Sequence, residues 1–324
     1  MSTARPSACV HSSPLDHVKW FTDPSRHPTD YSLLSTVPVI VAFVVALAAV
    51  GAAYLVQHRV REPKVFAALE RHAGLGPLAL GVHVGIALVA AALLGMLFVP
   101  SLRVVMDDGG YVLLGWELVV GIAIALGAGT RIAAVGLATL GVVAMMPFTF
   151  ESILEQVHLL GAAIFLYVVG RGRISVDALF GQRRSLEHDA APTVALNVLR
   201  IAMGFGIAFN ALTEKLLDPA LSAQLLAERP ELNIARGLGI GDPQFVYLAG
   251  LIELVIGAVI MSGQLTRPVM AVGALIFTIT LPVFGWLELL GHLPYYGMMF
   301  TLFLAPYPGS PRVKRQLRAG RLAA

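Results

Sequence analysis

The stretch Glu117–Arg131, ELVVGIAIALGAGTR, places one carboxylate among residues that suit lipid or a dry protein core. A second stretch, Glu253–Arg267, reads ELVIGAVIMSGQLTR and matches the first at eight of fifteen positions without a gap. Self-similarity of this kind is the signature of an internal repeat. The two stretches therefore predict two related units, each with a glutamate at the same depth in an apolar helix.

The composition of the chain indicates an integral membrane protein. Of its 324 residues, 57% are hydrophobic and only 13% are charged. A bilayer core about 30 Å thick needs about 20 apolar helical residues for each crossing. We expect an all-α membrane fold with about nine transmembrane helices. The apolar runs lie near residues 33–56, 78–99, 110–128, 131–149, 153–170, 192–212, 244–263, 267–287 and 291–306.

Three basic clusters predict the orientation of the chain in the membrane. They lie at residues 57–64, 170–185 and 312–321, and nine crossings put all three on one side. Basic residues concentrate in cytoplasmic loops, so we expect the N-terminus outside and the C-terminus in the cytoplasm. The same clusters account for the net charge of +3, and nucleic-acid binding is therefore not expected. Residues 1–31 show no apolar segment of a signal peptide.

The sequence also excludes several kinds of cofactor site. Cys9 is the one cysteine, so a disulfide framework, an iron–sulfur cluster and a c-type haem are excluded. The glycine-rich segment 237–242 follows no strand, and we expect a turn there rather than a nucleotide-binding loop. Any redox role would therefore need a bound cofactor such as a quinone.

The hydropathy pattern and the repeat together predict the organisation of the chain. Each unit has four crossings, an even number, so the two units are expected to be parallel repeats that enter the membrane from the same side. We expect an external N-terminal arm, a transmembrane anchor helix, a first and a second four-helix unit, and a basic cytoplasmic tail. These parts span residues 1–31, 32–57, 78–170, 192–306 and 307–324.

Glu117 and Glu253 are the first candidates for a functional role. A charged side chain facing lipid in mid-membrane costs about 2.5–3.5 kcal/mol, so both carboxylates should face the bundle interior and find partners there. The functional interpretation is an outward-open polar pocket that binds a ligand or passes protons. The alternative is that the side chains hydrogen-bond one another and fix the helix packing.

Two further Glu–His pairs lie near the outer ends of the helices. Glu155 and His158 are three residues apart and share one helix face, and Glu288 and His292 occupy the comparable place in the second unit. We predict that Glu288 and His292 converge with Glu253 on one water-accessible pocket. His83, Asn210 and Glu214 add polarity on the first helix of each unit.

The Thr-Arg pairs that end the two repeated stretches suggest a simpler role. Each threonine is suited to cap the helix that follows it. Arg131 and Arg267 are then expected to anchor the turns at the cytoplasmic headgroups.

The external arm contains HVKWFTDPSRHPTDY, residues 17–31. Its Trp and Tyr residues are typical of a belt at the membrane interface. The alternative is that the arm folds over the outer pocket and offers His17 or His27 to it. These two histidines are weak candidates for metal ligands, and no other metal site is expected.

The second unit resembles the DoxX-like family of bacterial and archaeal membrane proteins. The resemblance rests on LRIAMGFGIAFNALTEK at 199–215, IELVIGAVIMSGQLTR at 252–267 and a late Gly-His pair before the last helix. The first unit looks like a diverged copy. The resemblance implies a bacterial inner-membrane protein that serves a redox complex and touches quinone. The positions that it carries over are Arg200, Lys215, Glu253, Arg267 and His292.

We therefore expect an accessory subunit of a quinone-linked or other electron-transfer system, with an outward-facing Glu/His pocket. If the chain is part of an enzyme, that enzyme is expected to be a membrane oxidoreductase. Two alternatives remain open. One is a non-enzymatic carrier for a small solute or metal, with the repeat interface as its path, and the other is a structural assembly factor. The lipid bilayer and a redox protein complex are the expected partners.

Overall fold

The structure is a computed structural model that describes residues 19, 28–59, 64–181 and 193–306. Within these ranges the regular elements are helices, and the one β-type contact is an isolated bridge between Met96 and Arg103. Five helices are long and apolar enough to cross a membrane. The expected all-α, membrane-type fold is thereby confirmed in its coarse form, whereas the boundaries of the two units stay a prediction.

Nine main helices follow one another along the described chain, and each overlaps one of the apolar runs of the sequence. They are α1 (Val37–Arg59), α2 (Gly76–Leu93), α3 (Asp108–Leu126), α4 (Thr130–Val143), α5 (Val157–Val169), α6 (Thr193–Ala211), α7 (Asp242–Ser262), α8 (Thr266–Phe284) and α9 (Trp286–Leu304). Short helical segments fill several of the connections between them, among them Phe150–Leu154, a π-turn at Leu212–Leu216 and Pro219–Glu228.

Helices α2 to α9 pack as a closed ring. Each helix contacts the next one along the chain, and α9 closes the ring by packing against α2. Helices α2, α5, α6 and α9 also meet across the centre, and we call them the four inner helices. Helix α1 lies outside the ring against α7. The core of the molecule therefore lies along the axis that the four inner helices surround.

The crossing of α6 and α7 depends on glycine. A Cβ atom added to Gly204 would lie 2.6 Å from the carbonyl oxygen of Gly257, and one added to Gly257 would lie 2.5 Å from that of Gly204. Small residues at such crossings let two helix backbones approach closely, which favours association in lipid. Helices α6 and α7 are consequently packed backbone against backbone.

The connection between α2 and α3 differs from the sequence expectation. The apolar run at 78–99 was expected to be helical throughout, but α2 ends at Leu93 and the chain turns back into the bundle. Gly95 and Phe98 have φ angles of +71° and +69°, which an α-helix does not allow. The side chains of Leu97 and Phe98 are nevertheless buried, so this apolar stretch packs as a loop.

The threonines of the Thr-Arg pairs do not cap their helices. Gly129 and Leu265 occupy the N-cap positions, and neither makes a side-chain cap. Thr130 instead donates from its hydroxyl to Asp177 over 2.7 Å, and Thr266 donates to the carbonyl oxygen of Gly263. The capping hypothesis was wrong because the chain enters both helices in a left-handed conformation, which places each threonine one residue inside the helix.

Candidate functional site

The main cluster of buried acids lies at one end of the four inner helices. Glu151 comes from the short helix before α5, Glu155 from the residues just ahead of α5, and Glu214 from the π-turn that ends α6. Glu155 and Glu214 are 4% and 2% exposed, respectively. We call these three carboxylates the acidic cage, and the end of the bundle that holds them the arm face.

Lys19 of the N-terminal arm places its ammonium group in the acidic cage. Its Nζ donates to Glu151 Oε1 over 2.8 Å and also to Glu155. Burial alone would lower the pKa of Lys19, but the charges of Glu155 and Glu214 and the two hydrogen bonds raise it. The lysine is therefore held as a cation by the acids around it.

Glu151 also accepts hydrogen bonds from two residues that lie shortly before α1. Thr29 donates to Glu151 Oε1 over 2.7 Å, and Tyr31 donates to the other carboxylate oxygen. Burial alone would raise the pKa of Glu151, but the hydrogen bonds from Lys19, Tyr31 and Thr29 hold it below its usual range. Burial and the hydrogen bond to Glu151 raise the pKa of Tyr31 to about 12. Of the described residues near the N-terminus, Lys19, Thr29 and Tyr31 thus donate to Glu151.

An imidazole and a phenol lie at the centre of the ring beneath the acidic cage. The rings of His158 on α5 and Tyr295 on α9 stack with their centroids 4.2 Å apart. Tyr295 is 3% exposed, and its hydroxyl has no hydrogen-bond partner among the described residues. Gly206 on α6 makes room for that hydroxyl, since a Cβ atom there would lie 2.7 Å from it.

The aromatic contacts continue from Tyr295 to a second buried acid. Phe277 packs edge-on against Tyr295, with centroids 5.6 Å apart, and stacks on His292 at 4.1 Å. His292 Nδ1 lies 3.4 Å from Glu288 Oε1. Glu288 Oε1 also accepts a hydrogen bond from the hydroxyl of Thr280. We call His158, Tyr295, Phe277 and His292 the central stack. It leads from the acidic cage to the Glu288–His292 pair.

The two repeated glutamates have different partners. Glu117 is fully buried and accepts the backbone N–H of Phe98 over 2.7 Å. Glu253 is paired with Lys215 at 2.8 Å, with its side chain 27% exposed. Phe98 lies in the buried loop that follows α2, and Lys215 lies in the π-turn that follows α6.

The three predicted arginines bind backbone carbonyls. Arg200 donates to the carbonyl oxygens of Ile260 and Met261 at the end of α7. Arg267 is 2% exposed and donates to the carbonyl oxygen of Phe303 over 2.9 Å. The expected contact of Arg267 with headgroups is therefore wrong, because its guanidinium lies inside the bundle. Partly exposed Arg131 reaches the carbonyl oxygen of Val168 at 3.5 Å.

Sequence reasoning missed several members of the site. Lys19 and Glu151 were not singled out, although a basic residue near the N-terminus and an acid just before a helix can form such a contact. Tyr295 was missed because an isolated Tyr in an apolar helix carries no distinctive pattern. The predicted metal ligands His17 and His27 lie outside the described residues.

The other end of the four inner helices carries a small recess. It is lined mainly by apolar side chains, and one polar group, the hydroxyl of Thr301, donates to the carbonyl oxygen of Gly76. Phe165 of α5 and Leu196 of α6 form part of its wall. The axis of the ring therefore has a polar, acidic end at the arm face and an apolar recess at the opposite face.

The site offers carboxylates, imidazoles and a phenol in a buried setting, a set that binds cations, donates hydrogen bonds and transfers protons. Comparison of the chain with protein-family models, with curated proteins and with solved structures gives no match.

Proposed function

We propose that the chain is a multi-pass inner-membrane protein of nine transmembrane helices, with two parallel four-helix units in the ring. Matching contacts in the two halves support the repeat. A Cβ atom on Gly161 of α5 would meet Ala202 Cβ and the carbonyl oxygen of Val198 on α6. One on Gly297 of α9 would meet His83 Cβ and the carbonyl oxygen of Ala79 on α2. These helix pairs occupy equivalent places in the proposed units.

The matching extends to the helix ends. Arg131 binds the carbonyl oxygen of Val168 near the end of α5, and Arg267 binds that of Phe303 near the end of α9. In the proposed orientation the arm face is outside, and the ends that carry these arginines are cytoplasmic. Reporters fused after residue 324 and within residues 229–241 test this. A reporter active only in the cytoplasm should work at the first position and fail at the second.

In this membrane setting, we propose that the protein is an accessory subunit of a quinone-linked electron-transfer system. The observation that carries the proposal is the buried stack of His158 on Tyr295, directly beneath Glu155. Reduction of a quinone to a quinol takes up two electrons and two protons at its two oxygens. A site for that ligand needs donors for those oxygens and groups that exchange protons, and phenol, imidazole and carboxylate provide both.

Tyr295 has the central role in this proposal. Its hydroxyl has no hydrogen-bond partner among the described residues and is nearly inaccessible to water, so it is available to donate to a quinone oxygen. Neighbouring aromatic rings, His158 and Phe277, provide flat walls of the kind that a quinone ring packs against. The electrons would come from the partner complex.

A second candidate function is a carrier whose path follows the axis of the four inner helices. The specific observation that favours it is the apolar recess at the opposite end of the same helices from the acidic cage. A path of this kind would begin at the carboxylates of the arm face and end at that recess, along the interface of the two proposed units.

Quinone binding tests the first candidate directly. The full chain, purified in mild detergent, is expected to retain quinone that extraction and chromatography detect. Tyr295→Phe removes only the hydroxyl and should lower the bound quinone several-fold. Tyr167→Phe, on an exposed tyrosine of α5, is the matched control and should retain it.

Physiology separates the two candidates. A deletion strain should show altered respiration with unchanged solute content if the protein serves a quinone-linked system, and the reverse if it is a carrier. Absence of bound quinone in the wild-type protein, or equal quinone content in the Tyr295→Phe and wild-type proteins, would reject the quinone assignment.

A further inference from the structure

We propose that the segment after α5 binds the phosphate group of an anionic membrane lipid, and that Arg171 is the residue that holds it. This segment covers residues 170–181, and we call it the α5 connection. It offers a guanidinium to the phosphate and exposed apolar side chains to the acyl chains. The inference does not rest on the quinone assignment, since the α5 connection and His158 lie at opposite ends of α5.

The stem of Arg171 is buried between two helices that leave room for it. A Cβ atom added to Gly81 of α2 would lie 2.8 Å from Arg171 Cγ, and one added to Gly127 at the end of α3 would lie 2.5 Å from Arg171 Cδ. Gly127 also has a φ angle of +68°, which favours glycine. Arg171 is 8% exposed, so packing fixes the position of its guanidinium.

The described chain leaves most of this guanidinium without a partner. A guanidinium carries five N–H donors and a permanent positive charge. Among the described residues Arg171 makes one hydrogen bond, from Nη1 to the carbonyl oxygen of Ile174, and its Nε has no partner. No carboxylate in the same ranges forms an ion pair with it. A buried charge without a counter-charge is costly, so an anion from outside the chain is favoured beside Arg171.

The acid of the α5 connection does not supply that counter-charge. Asp177 accepts the backbone N–H of Gly129 over 2.6 Å. Its other carboxylate oxygen accepts the backbone N–H and the hydroxyl of Thr130 over 2.9 and 2.7 Å. These hydrogen bonds hold Asp177 at the start of α4. Arg171 therefore keeps its uncompensated charge although an acid lies six positions further along the chain.

A second arginine in a comparable place shows what a satisfied guanidinium looks like in this fold. Gly127 and Gly263 match in the two similar stretches, and each ends its helix with a positive φ angle. A Cβ atom on Gly263 would lie 2.9 Å from Arg200 Cζ, so an arginine packs against both glycines. Arg200 donates to two backbone carbonyl oxygens at the end of α7 and to a side-chain amide oxygen. The anion is therefore expected at Arg171 and not at Arg200.

The apolar side chains of the α5 connection favour a lipid over free phosphate. Ile174, Leu179 and Phe180 are 65%, 83% and 81% exposed. Basic pockets at the ends of membrane-crossing helices bind lipid headgroups, and large exposed apolar side chains beside them suit the acyl chains. Free phosphate would satisfy the guanidinium and leave these side chains in water. An anionic phospholipid satisfies both.

Thermal unfolding of the full chain in dodecyl maltoside tests the site. Phosphatidylglycerol should raise the unfolding temperature of the wild-type protein by several degrees. A galactolipid with the same acyl chains but no phosphate, and inorganic phosphate at equal ionic strength, should each raise it much less. An equal shift with the galactolipid would overturn the phosphate contact, and an equal shift with inorganic phosphate would overturn the choice of a lipid.

Arg171→Gln is the variant that removes the charge but keeps a hydrogen-bond donor. It should bind phosphatidylglycerol at least about tenfold more weakly, because hydrogen bonds to charged groups are the strong ones. Arg103→Gln is the matched control, since Arg103 is an exposed arginine between α2 and α3, at the other end of the bundle. It should keep the full response to phosphatidylglycerol. Wild-type affinity in Arg171→Gln would overturn the proposal.

A second variant keeps the test valid if Arg171→Gln does not fold. Leu179 and Phe180 are so exposed that their joint replacement with Asn should leave the unfolding temperature without lipid unchanged. The double variant should nevertheless bind phosphatidylglycerol several-fold more weakly than the wild-type protein. Unchanged binding would contradict the acyl-chain contact. A protein that binds phosphatidylglycerol but no quinone would retain this inference and lose only the quinone assignment.

Discussion

Arg267 lies 3.1 Å from Glu70, and this ion pair fixes the start of α8 to the segment that leads into α2. The side chains are 2% and 5% exposed, so the pair is shielded from water. The same guanidinium also donates to the carbonyl oxygens of Phe303 and Ala305 at the end of α9. One buried arginine therefore connects three segments of the ring.

Substitution of Arg267 with Ala should destabilise the protein strongly. It leaves the carboxylate of Glu70 and two carbonyl oxygens without this donor, and loss of one partner of a buried ion pair costs about 3–5 kcal/mol. Arg131→Ala is the matched control, because that arginine is partly exposed and its hydrogen bond to Val168 is 3.5 Å long, and it should cost less than about 1 kcal/mol. Thermal unfolding in detergent measures both. Similar losses of unfolding free energy in the two variants would show that the burial of Arg267 does not add to stability.

Gly257→Ala should disrupt the crossing of α6 and α7. The added methyl group would lie 2.5 Å from a backbone oxygen of Gly204, so the two helices would have to move apart. Gly141→Ala in α4 has no atom within 4 Å of the new Cβ and should gain about 0.5–1 kcal/mol from helix propensity. The yield of folded protein and its unfolding temperature report the difference. Equal yields and equal unfolding temperatures for the two variants would show that the close crossing does not stabilise the fold.

Glu117→Gln should be tolerated much better than Glu117→Ala. The amide oxygen of glutamine still accepts the N–H of Phe98, whereas alanine leaves that buried donor without its acceptor at a cost of about 1–3 kcal/mol. Unfolding titrations of the two variants compare these costs. Equal destabilisation by Gln and Ala would mean that the charge of Glu117 matters, and not its hydrogen bond alone.

The stability contributed by Asp177 should disappear in acid. Burial alone would raise the pKa of this carboxyl, but hydrogen bonds from Thr130 and Gly129 hold it below its usual range. A folded-state pKa below the unfolded value stabilises the protein above about pH 4, and that contribution is lost as the pH falls through the folded pKa. Asp177→Asn should therefore lower the unfolding temperature at pH 7, and its effect should shrink as the pH falls below about 4.

Asp108→Asn is the control for this pH series. Asp108 is exposed in the first turn of α3, so its substitution should shift the unfolding temperature little at either pH. A penalty for Asp177→Asn that stays constant from pH 7 to pH 3 would contradict the assigned hydrogen bonds.

Hydropathy predicted the coarse all-α, membrane-type fold because each crossing of a bilayer needs about 20 apolar residues. Hydropathy did not predict where α2 ends. The chain turns at Gly95 and Phe98, but the residues there are as apolar as those of the helix. In a membrane protein a buried loop and a helix end have nearly the same composition. Boundaries of this kind depend on the tertiary packing.

The site was only partly predictable for a different reason. Glu117 and Glu253 stand in stretches that match at eight of fifteen positions, yet one binds a backbone amide and the other binds Lys215. Their partners, Phe98 and Lys215, lie in a buried loop and in a π-turn, and neither residue belongs to the two similar stretches. The contact of Lys19 with Glu155 joins residues that are 136 positions apart, and no local pattern encodes such a pair.

The closed ring has a consequence for synthesis of the protein. Helix α2 emerges from the ribosome well before α9, the helix that covers it on one side. Until then the backbone of Gly76 and the small-residue face of α2 face lipid or an insertion factor. A chain that stops before Trp286 should therefore insert and remain open, and a separately expressed α9 should complete it.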